Sequence, residues 1–301
     1  MPFNGHNHRS VLRLSLMFIL TLLSIAGHTE DKLTVYTVNY PLKYFAERIG
    51  GTQVKVTFPV PANEDPAFWN PSAETVLAFQ QADLILLNGA GYAKWLNKAS
   101  LPFSPQVDTS SAFRTKYLSM KETMVHAHGS GGKHSHTGTA FTTWLDTRLA
   151  ILQANDIMQA FVRKRPALKQ IFQTNYQRLE KDLQVLDQSL VHLTAAESPL
   201  LLGSHPVYQY LAQGYGLNMK SVHWEPDQIP SEEQWAKLLL ILKQHPAKWM
   251  LWEAEPLPAV VAKLKAVGVS SLVFNPCGNV PEQGDYLSVM SKNIENLKQA
   301  F

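Results

Sequence analysis

The feature that most constrains the fold is an alternation of short apolar runs with amphipathic runs, which begins near residue 32. The run 33–38 (LTVYTV) predicts a strand, and the run 41–50 (PLKYFAERIG) predicts a helix that ends at a Gly-Gly pair. The run 82–89 (ADLILLNG) is apolar almost throughout, which is typical of a strand buried on both faces. Strands that alternate with helices predict a parallel sheet with helices on both sides.

A second round of the same alternation begins near residue 199. Four strands are predicted, with helices between them, at 199–204, 218–223, 248–253 and 270–275. One of these helices starts with Ser231 and Gln234 in a capping-box pattern. The two rounds together predict an α/β fold with two (β/α)4 lobes whose sheets are parallel.

The residues between the two rounds, 145–196, are helical almost throughout. Pro166 divides them, because proline removes a backbone donor and collides with the preceding turn. After Pro166, apolar residues recur at steps of three and four, which predicts a stripe facing the core. The stripe consists of Leu168, Ile171, Phe172, Tyr176, Leu179, Leu183, Leu186 and Leu190. The predicted domains are a first lobe over 29–164, a linking backbone helix over 165–196 and a second lobe over 197–301.

The N-terminal segment predicts an export signal over residues 1–28. Arg9 and Arg13 precede a largely apolar run over 14–26, which at 13 residues is shorter than a spanning helix. A spanning helix needs about 20 apolar residues, and small residues near the end of the run fit a signal-peptidase site. We therefore expect a cleaved signal and a soluble, periplasmic protein. An uncleaved hydrophobic anchor is the alternative.

Composition and motifs exclude several functional classes. The 27 basic and 24 acidic side chains give a net charge of +3, which offers no support for nucleic-acid binding. Cys277 is the one cysteine in the sequence, so an intramolecular disulfide cannot form. The sequence has no HExxH motif, no GxSxG elbow and no phosphate-binding glycine loop, and we predict that the protein is not an enzyme.

Polar side chains gather where the predicted strands end, which is where ligands bind in open α/β sheets. Glu64 and Asp65 follow a strand of the first round. In the second round His205, the segment 223–225 (HWE) and Glu253 stand at strand ends. Imidazole and carboxylate groups together suit zinc and similar divalent ions. If the two lobes face each other, these residues line one cleft, although each could alternatively serve as a helix cap or surface group.

The loop 124–138 (MVHAHGSGGKHSHTG) contains four of the 11 histidines in the chain: His126, His128, His134 and His136. Its glycines and serines make it flexible, so the imidazoles can approach one ion from several directions. We predict that this loop captures a metal ion and delivers it to a deeper site. A solvated loop with incidental histidines is the alternative.

Several segments along residues 32–301 form a specific combination. They are TVNYPLKYFAERIGG, QQADLILLNGAGYAKWL, the histidine loop followed by TWLD, SHPVYQYLAQGYGL, WEPDQIPS and NPCG. Together they resemble the zinc/manganese substrate-binding proteins of ABC importers, the ZnuA-like family (cluster A-I). The resemblance implies two (β/α)4 lobes bridged by one long helix. It also implies a periplasmic receptor that passes Zn²⁺, or else Mn²⁺ or another divalent ion, to an ABC permease.

The four metal-ligand positions of this family transfer only in part. They correspond here to Ala67 within EDPAFW, Thr142 before the tryptophan of TWLD, His205, and Asn275 in place of an aspartate. His205 alone keeps a metal-ligating side chain, and a histidine at this position favours zinc over manganese. Cys277 stands near the fourth position, where it is either a thiolate ligand or inert packing.

The departure from the family pattern leads to the hypothesis of a rebuilt site. The predicted metal ligands are His205, His134 or His136, and a carboxylate from Glu64, Asp65 or Glu253, with His126 and His128 as accessory loop histidines. The predicted function is a monomeric receptor that captures a divalent metal ion, zinc above others. The alternative is a receptor of the same fold for a metal chelate or a small organic ligand. In that case the stacking surface would be Trp69, Trp144, Trp224 and Trp252.

Overall fold

The protein contains two four-stranded parallel sheets. The computed structural model describes residues 1–2, 31–120, 138–195 and 199–301, together with the backbone of 125–127 and 133–135. Nearly all of the predicted export signal lies outside the described residues, and so do His128 and His136. The chain divides into two compact units, Met1–Asp31 and Lys32–Phe301. Both sheets belong to the second unit.

The first sheet has the strand order β2-β1-β3-β4. Its strands are β1 (Leu33–Thr37), β2 (Val54–Thr57), β3 (Leu84–Leu87) and β4 (Gln106–Asp108). All pairings are parallel, with Val35 opposite both Val56 and Leu84. The apolar run predicted at 82–89 is the inner strand β3, which is covered on both faces.

Two short antiparallel pairs come next in the chain, β5 (Ser119–Met120) with β8 (Gly138–Thr139) and β6 (Val125–Ala127) with β7 (Lys133–Ser135). The second parallel sheet has the order β10-β9-β11-β12, which repeats the order of the first sheet. Its strands are β9 (Leu200–Gly203), β10 (Asn218–Ser221), β11 (Trp249–Trp252) and β12 (Ser270–Val273). All of its pairings are parallel as well. Because β9 lies between β10 and β11, the segments that follow these three strands emerge side by side.

Eight α-helices cover the sheets within the described residues. They are α1 (Tyr40–Gly50), α2 (Ala73–Gln80), α3 (Thr147–Lys164), α4 (Lys169–Thr194), α5 (Gln209–Tyr215), α6 (Glu232–Gln244), α7 (Pro258–Ala266) and α8 (Tyr286–Leu297). The predicted capping box of Ser231 and Gln234 is present at the start of α6. A short 3-10 turn over Lys94–Asn97 follows β3.

The long helical stretch between the sheets consists of α3 and α4, which pack against each other on either side of the Pro166–Leu168 turn. Much of the predicted stripe of α4 is buried, including Phe172 and Leu183. Ile171 was wrongly placed in the stripe and is 43% exposed. It lies about 100° around the helix from Phe172, which turns it away from the core. The predicted domain limits stay a prediction.

One apolar cluster runs through both lobes. It contains Phe45 of α1, Leu183 of α4, Leu201 of β9 and Leu251 of β11. We refer below to β1–β4 with α1–α3 as the first lobe and to β9–β12 with α5–α8 as the second lobe. No helix among the described residues combines the length and the apolar character needed to cross a membrane.

Candidate metal centre at the strand ends of the second lobe

His205 lies two residues beyond the end of β9 and is 2% exposed. Gly203 permits the close approach of backbone here, since a Cβ on it would stand 3.0 Å from the carbonyl oxygen of His205 and from Ser221 Oγ. The intervening Ser204 donates its N–H to the carbonyl of Leu251 over 2.8 Å. The neighbouring strand therefore fixes the backbone that carries the imidazole.

Two carboxylates flank the imidazole of His205. Its Nδ1 lies 3.2 Å from Glu253 Oε1, and its Nε2 lies 3.7 Å from Glu225 Oε1. The side chains of Glu225 and Glu253 are 17% and 31% exposed, whereas that of His205 is 3% exposed. A buried imidazole thus stands between two acids that both reach solvent.

His223 places a second imidazole beside the first. The rings of His205 and His223 pack edge to face, with centroids 5.7 Å apart and planes at 81°. The pKa of His223 is lowered to about 4, mainly by burial and also by nearby His205, whereas Glu225 acts in the opposite direction. His223 is therefore neutral at neutral pH, which is the form of imidazole that binds metal ions.

The observed arrangement of these four side chains is not a complete metal site. Within the described part of the chain, no group of three or more His, Cys, Asp or Glu side chains is positioned to hold a metal ion. Zinc sites in proteins use three or four such ligands. The cluster can hold an ion only after a side chain moves or a further ligand arrives.

The structure brings some predicted ligands together and leaves others apart. His205 and Glu253 are in contact. Glu64 and Asp65 are exposed on the loop after β2, where Asp65 Oδ1 accepts a hydrogen bond from the N–H of Ala67 over 2.9 Å. The backbone of His134 lies in a short antiparallel hairpin, at the position paired with His126.

The three family positions without a metal ligand have other roles here. Ala67 is 1% exposed. The hydroxyl of Thr142 donates to the carbonyl of Val207 over 2.5 Å, which joins the first lobe to the second. Asn275 Oδ1 accepts from the N–H of Cys277 over 2.7 Å and shapes the turn after β12.

The turn after β12 also holds the lobes together. Trp144 donates its indole N–H to the carbonyl of Pro276 over 2.7 Å, and the N–H of Tyr40 donates to the carbonyl of Gly278 over 3.0 Å. Cys277 is buried between these two contacts along the chain, and burial raises the pKa of its thiol to about 12. The thiol is therefore protonated at neutral pH, as inert packing requires.

The strand ends of the first lobe are filled by a neutral hydrogen-bond network. Asn88 Oδ1 accepts from Asn39 Nδ2 over 3.1 Å and from Gln153 Nε2 over 3.2 Å. Asn88 Nδ2 donates to the carbonyl of Phe141 over 2.8 Å. Asn39, Asn88 and Gln153 are at most 1% exposed. The network therefore fixes the segment next to Thr142 and contains no ionisable group.

The four tryptophans considered as a stacking surface belong to the core instead. Trp69, Trp144, Trp224 and Trp252 are between 0% and 8% exposed. Trp224 and Trp252 pack with Trp235 on the outer side of the second sheet. These indoles offer no open face to an organic ligand.

Sequence reasoning did not select His223 and Glu225 as candidate ligands. Both follow β10, and the segment 223–225 was recognised only as a strand end. The available signal was the strand order, because a sheet that repeats the first one places β10 directly beside β9. The segment after β10, which carries His223 and Glu225, then lies next to His205.

Comparison with known proteins gives a consistent match along the chain. A model of the ZnuA family, described as zinc-uptake complex component A, periplasmic, matches residues 35–300. The high-affinity zinc uptake system protein ZnuA of Bacillus subtilis is 29% identical over 289 residues, which cover 92% of this chain and 90% of that protein. The zinc-binding lipoprotein AdcA of Streptococcus pneumoniae is 26% identical over 299 residues, which cover 93% of this chain. The match spans 58% of the length of AdcA.

Solved structures share the fold. The metal-dependent lipoprotein YcdH from Bacillus subtilis superposes with a TM-score of 0.76 at 23% identity, over 90% of this chain and 100% of that one. Zn(II)-bound AdcA from Streptococcus pneumoniae gives a TM-score of 0.74 at 24% identity, over 90% of this chain and 58% of that one. The two-lobed architecture is therefore common to all three proteins.

Proposed function

Since the chain belongs to the ZnuA family, the periplasmic component A of zinc-uptake complexes, we propose that it captures a divalent metal ion, zinc above others, for delivery to an ABC permease. On this proposal the protein is a binding receptor and not an enzyme. It works as a monomer in the periplasm after export by the segment 1–28. The metal ion is the cargo of this receptor.

The observation that carries the proposal is the surrounding of His205. This residue occupies the one family position that keeps a ligand, and carboxylates of Glu225 and Glu253 lie 3.7 and 3.2 Å from its two ring nitrogens. Imidazole and carboxylate groups at short distance suit zinc, a borderline ion that both imidazole nitrogen and carboxylate oxygen bind well. The acids also supply negative charge near the bound cation.

A receptor for a metal chelate or a small organic molecule is the second candidate. It is favoured by the three family positions at which Ala67, Thr142 and Asn275 offer no strong ligand. The burial of the four tryptophans weighs against it, because a planar organic ligand would need an open aromatic face. The two candidates differ in whether the uncomplexed ion binds.

Calorimetric titration of the chelator-stripped full chain with Zn²⁺ tests the proposal. The four loop histidines are replaced by asparagine in a parallel protein, so that binding at the deeper site is measured alone. We expect near-stoichiometric binding in both proteins and a loss of at least about tenfold in affinity in His205→Ala, since one ligand is removed. The matched control is His192→Ala, at an exposed position on α4, which should bind zinc as the parent does.

The same proteins distinguish the second candidate by melting temperature. A ligand that binds only the folded state must stabilise it, so added Zn²⁺ should raise the melting temperature. No stabilisation by zinc and no calorimetric signal in the parent protein would overturn the metal-receptor proposal and favour the chelate receptor.

A further inference from the structure

The two nitrogens of His205 face different surroundings, and a neutral imidazole can use only one of them to bind a metal ion. The other carries the proton and donates a hydrogen bond, commonly to a carboxylate that fixes the tautomer and the ring orientation. Which nitrogen takes the ion therefore decides which of the two flanking acids can be a ligand. The contacts on each side of the ring answer this question.

The Nδ1 side has the arrangement expected of the proton-bearing side. Nδ1 lies 3.2 Å from Glu253 Oε1, which is within the range for a ring N–H that donates to a carboxylate. The hydroxyl of the nearby Tyr208 is occupied as a donor to the carbonyl of Phe274 over 2.9 Å. On this side Glu253 is in contact with the ring nitrogen.

The Nε2 side offers two further donor groups. Glu225 Oε1 lies 3.7 Å from Nε2, and the His223 ring centroid is 5.7 Å from that of His205. Two donor atoms on one tetrahedral zinc ion are about 3.4 Å apart, and two imidazole centroids on it are roughly 5–6 Å apart, given bonds of about 2.0–2.1 Å. Both observed distances are close to these values.

From this geometry we propose that His205 Nε2, Glu225 and His223 bind the metal ion, while Glu253 accepts the Nδ1–H of His205 and orients the ring without touching the ion. The inference rests on the proposed function, because it names the ligands of the same cargo ion. It assigns Glu253 a positioning role, whereas the sequence predicted a ligand. It also places these three ligands on the second lobe alone, after β9 and β10.

One movement is needed to form this site. In the present conformation no three such side chains of the described chain are arranged around a common point. His223 is half-buried in the irregular segment between β10 and the exposed turn near Asp227, so a rotation of its side chain can bring a ring nitrogen toward Nε2 of His205. Water would then complete a four-coordinate ion.

Cobalt binding distinguishes a ligand from a positioning residue. In the full chain without loop histidines, Co²⁺ reports its ligands through the position of its visible absorption bands, and Zn²⁺ competition reports affinity. We expect Glu225→Gln and His223→Asn each to shift the cobalt bands and to weaken zinc binding by about 100-fold or more. Glu253→Ala should weaken binding by about 10–100-fold, the usual effect of removing such an outer partner, with the bands unmoved.

Two further variants sharpen the assignment. Glu253→Gln should recover most of the affinity lost in Glu253→Ala, because an amide oxygen also accepts a hydrogen bond from Nδ1. Glu255→Gln, two residues further along in an exposed position, is the matched control and should change neither readout. Circular dichroism in the presence of a chelator verifies that each variant is folded, and His223→Gln replaces His223→Asn if the latter is not.

The outcomes separate this inference from the proposed function. If the parent binds zinc and His205→Ala abolishes binding, but Glu225→Gln leaves affinity and bands unchanged, the ligand assignment is wrong and the receptor function stands. The assignment is equally overturned if Glu253→Gln shifts the bands as a lost ligand would. If the parent binds neither zinc nor cobalt, the proposed function itself fails.

Discussion

The two lobes share one strand order, and the same structural position carries opposite chemistry in each. In the first lobe, the strand ends hold amides and hydroxyls that bond to one another around Asn88 and are almost wholly buried. In the second lobe, the equivalent ends hold the imidazoles of His205 and His223 and the carboxylates of Glu225 and Glu253. Topology alone therefore does not decide which lobe binds a ligand.

The difference shows that two lobes with the same strand order can have different roles. Buried amides satisfy each other's hydrogen bonds and fix the backbone, so the first lobe holds the segment 141–144, in which Thr142 and Trp144 bond to the second lobe. In the second lobe the carboxylates of Glu225 and Glu253 reach solvent, so their lone pairs are accessible to a cation. We expect variants in the first lobe to change stability and variants in the second to change binding.

The largest expected effect comes from Asn88→Leu in the first lobe. The change leaves the buried donors of Asn39 and Gln153 without their acceptor, and the free energy of unfolding should fall by about 3–5 kcal/mol. Urea unfolding measures it. Zinc affinity of the protein that remains folded should stay within about threefold, since no proposed ligand is touched.

The control for Asn88→Leu is Asn218→Leu on β10, where the side chain is exposed and a change within about 0.5 kcal/mol is expected. A stable Asn88→Leu protein that had lost zinc binding would break the contrast between the lobes. It would mean that the neutral network takes part in the site.

A smaller effect is expected from His223 in the second lobe when pH is lowered. Burial lowers the pKa of His223 from 6.5 to about 4, so between these values the unfolded chain binds a proton that the folded protein does not. Stability of the metal-free protein should therefore fall as pH decreases from 6.5 to about 4. The full shift would amount to roughly 3 kcal/mol, and partial exposure of the ring reduces this to about 1–2 kcal/mol.

Urea unfolding across this pH range, with a chelator present, measures the effect. His223→Gln should flatten the profile by that amount, whereas exposed His192→Gln should leave it as in the parent. A profile that His223→Gln does not alter would show that the imidazole binds its proton as readily in the folded protein as in the unfolded chain.

The smallest effect is expected at Cys277, in the turn that joins the lobes. Burial raises the pKa of this thiol to about 12, so the thiolate is scarce at neutral pH. Cys277→Ala should therefore change zinc affinity by less than about twofold. In the parent protein a thiol reagent should react quickly only after unfolding in urea. A large loss of affinity in Cys277→Ala would make the joining turn part of the site.

The sequence predicted the architecture well because hydrophobic periodicity is a local signal. Strands β1 and β3, all four strands of the second sheet and the long helical stretch between the sheets were predicted, but the strands were expected to end later than they do. The run 218–223 was predicted as a strand, whereas β10 ends at Ser221 and His223 lies beyond it. An apolar or mixed run cannot show where backbone pairing stops, because pairing depends on the neighbouring strand.

The candidate site could be predicted only in part for a similar reason. His205 and Glu253 were found because both follow predicted strands, and the structure places them in contact. Glu225 was overlooked because its proximity to His205 depends on β10 lying beside β9, a long-range relation. Glu64 and Asp65 satisfy the same strand-end rule, yet they lie exposed on the other lobe. The ligand set as predicted remains untested, as does the export signal.

The apolar cluster that includes residues of both sheets and of α4 has a thermodynamic consequence. Leu183, Leu201 and Phe45 belong to one continuous hydrophobic core. If one lobe unfolds, the other lobe therefore loses part of the surface against which it packs. Heat should then disrupt the whole of Lys32–Phe301 in a single cooperative transition, with calorimetric and van't Hoff enthalpies that agree. A fragment cut between the lobes would expose the leucines of α4 to water and would aggregate.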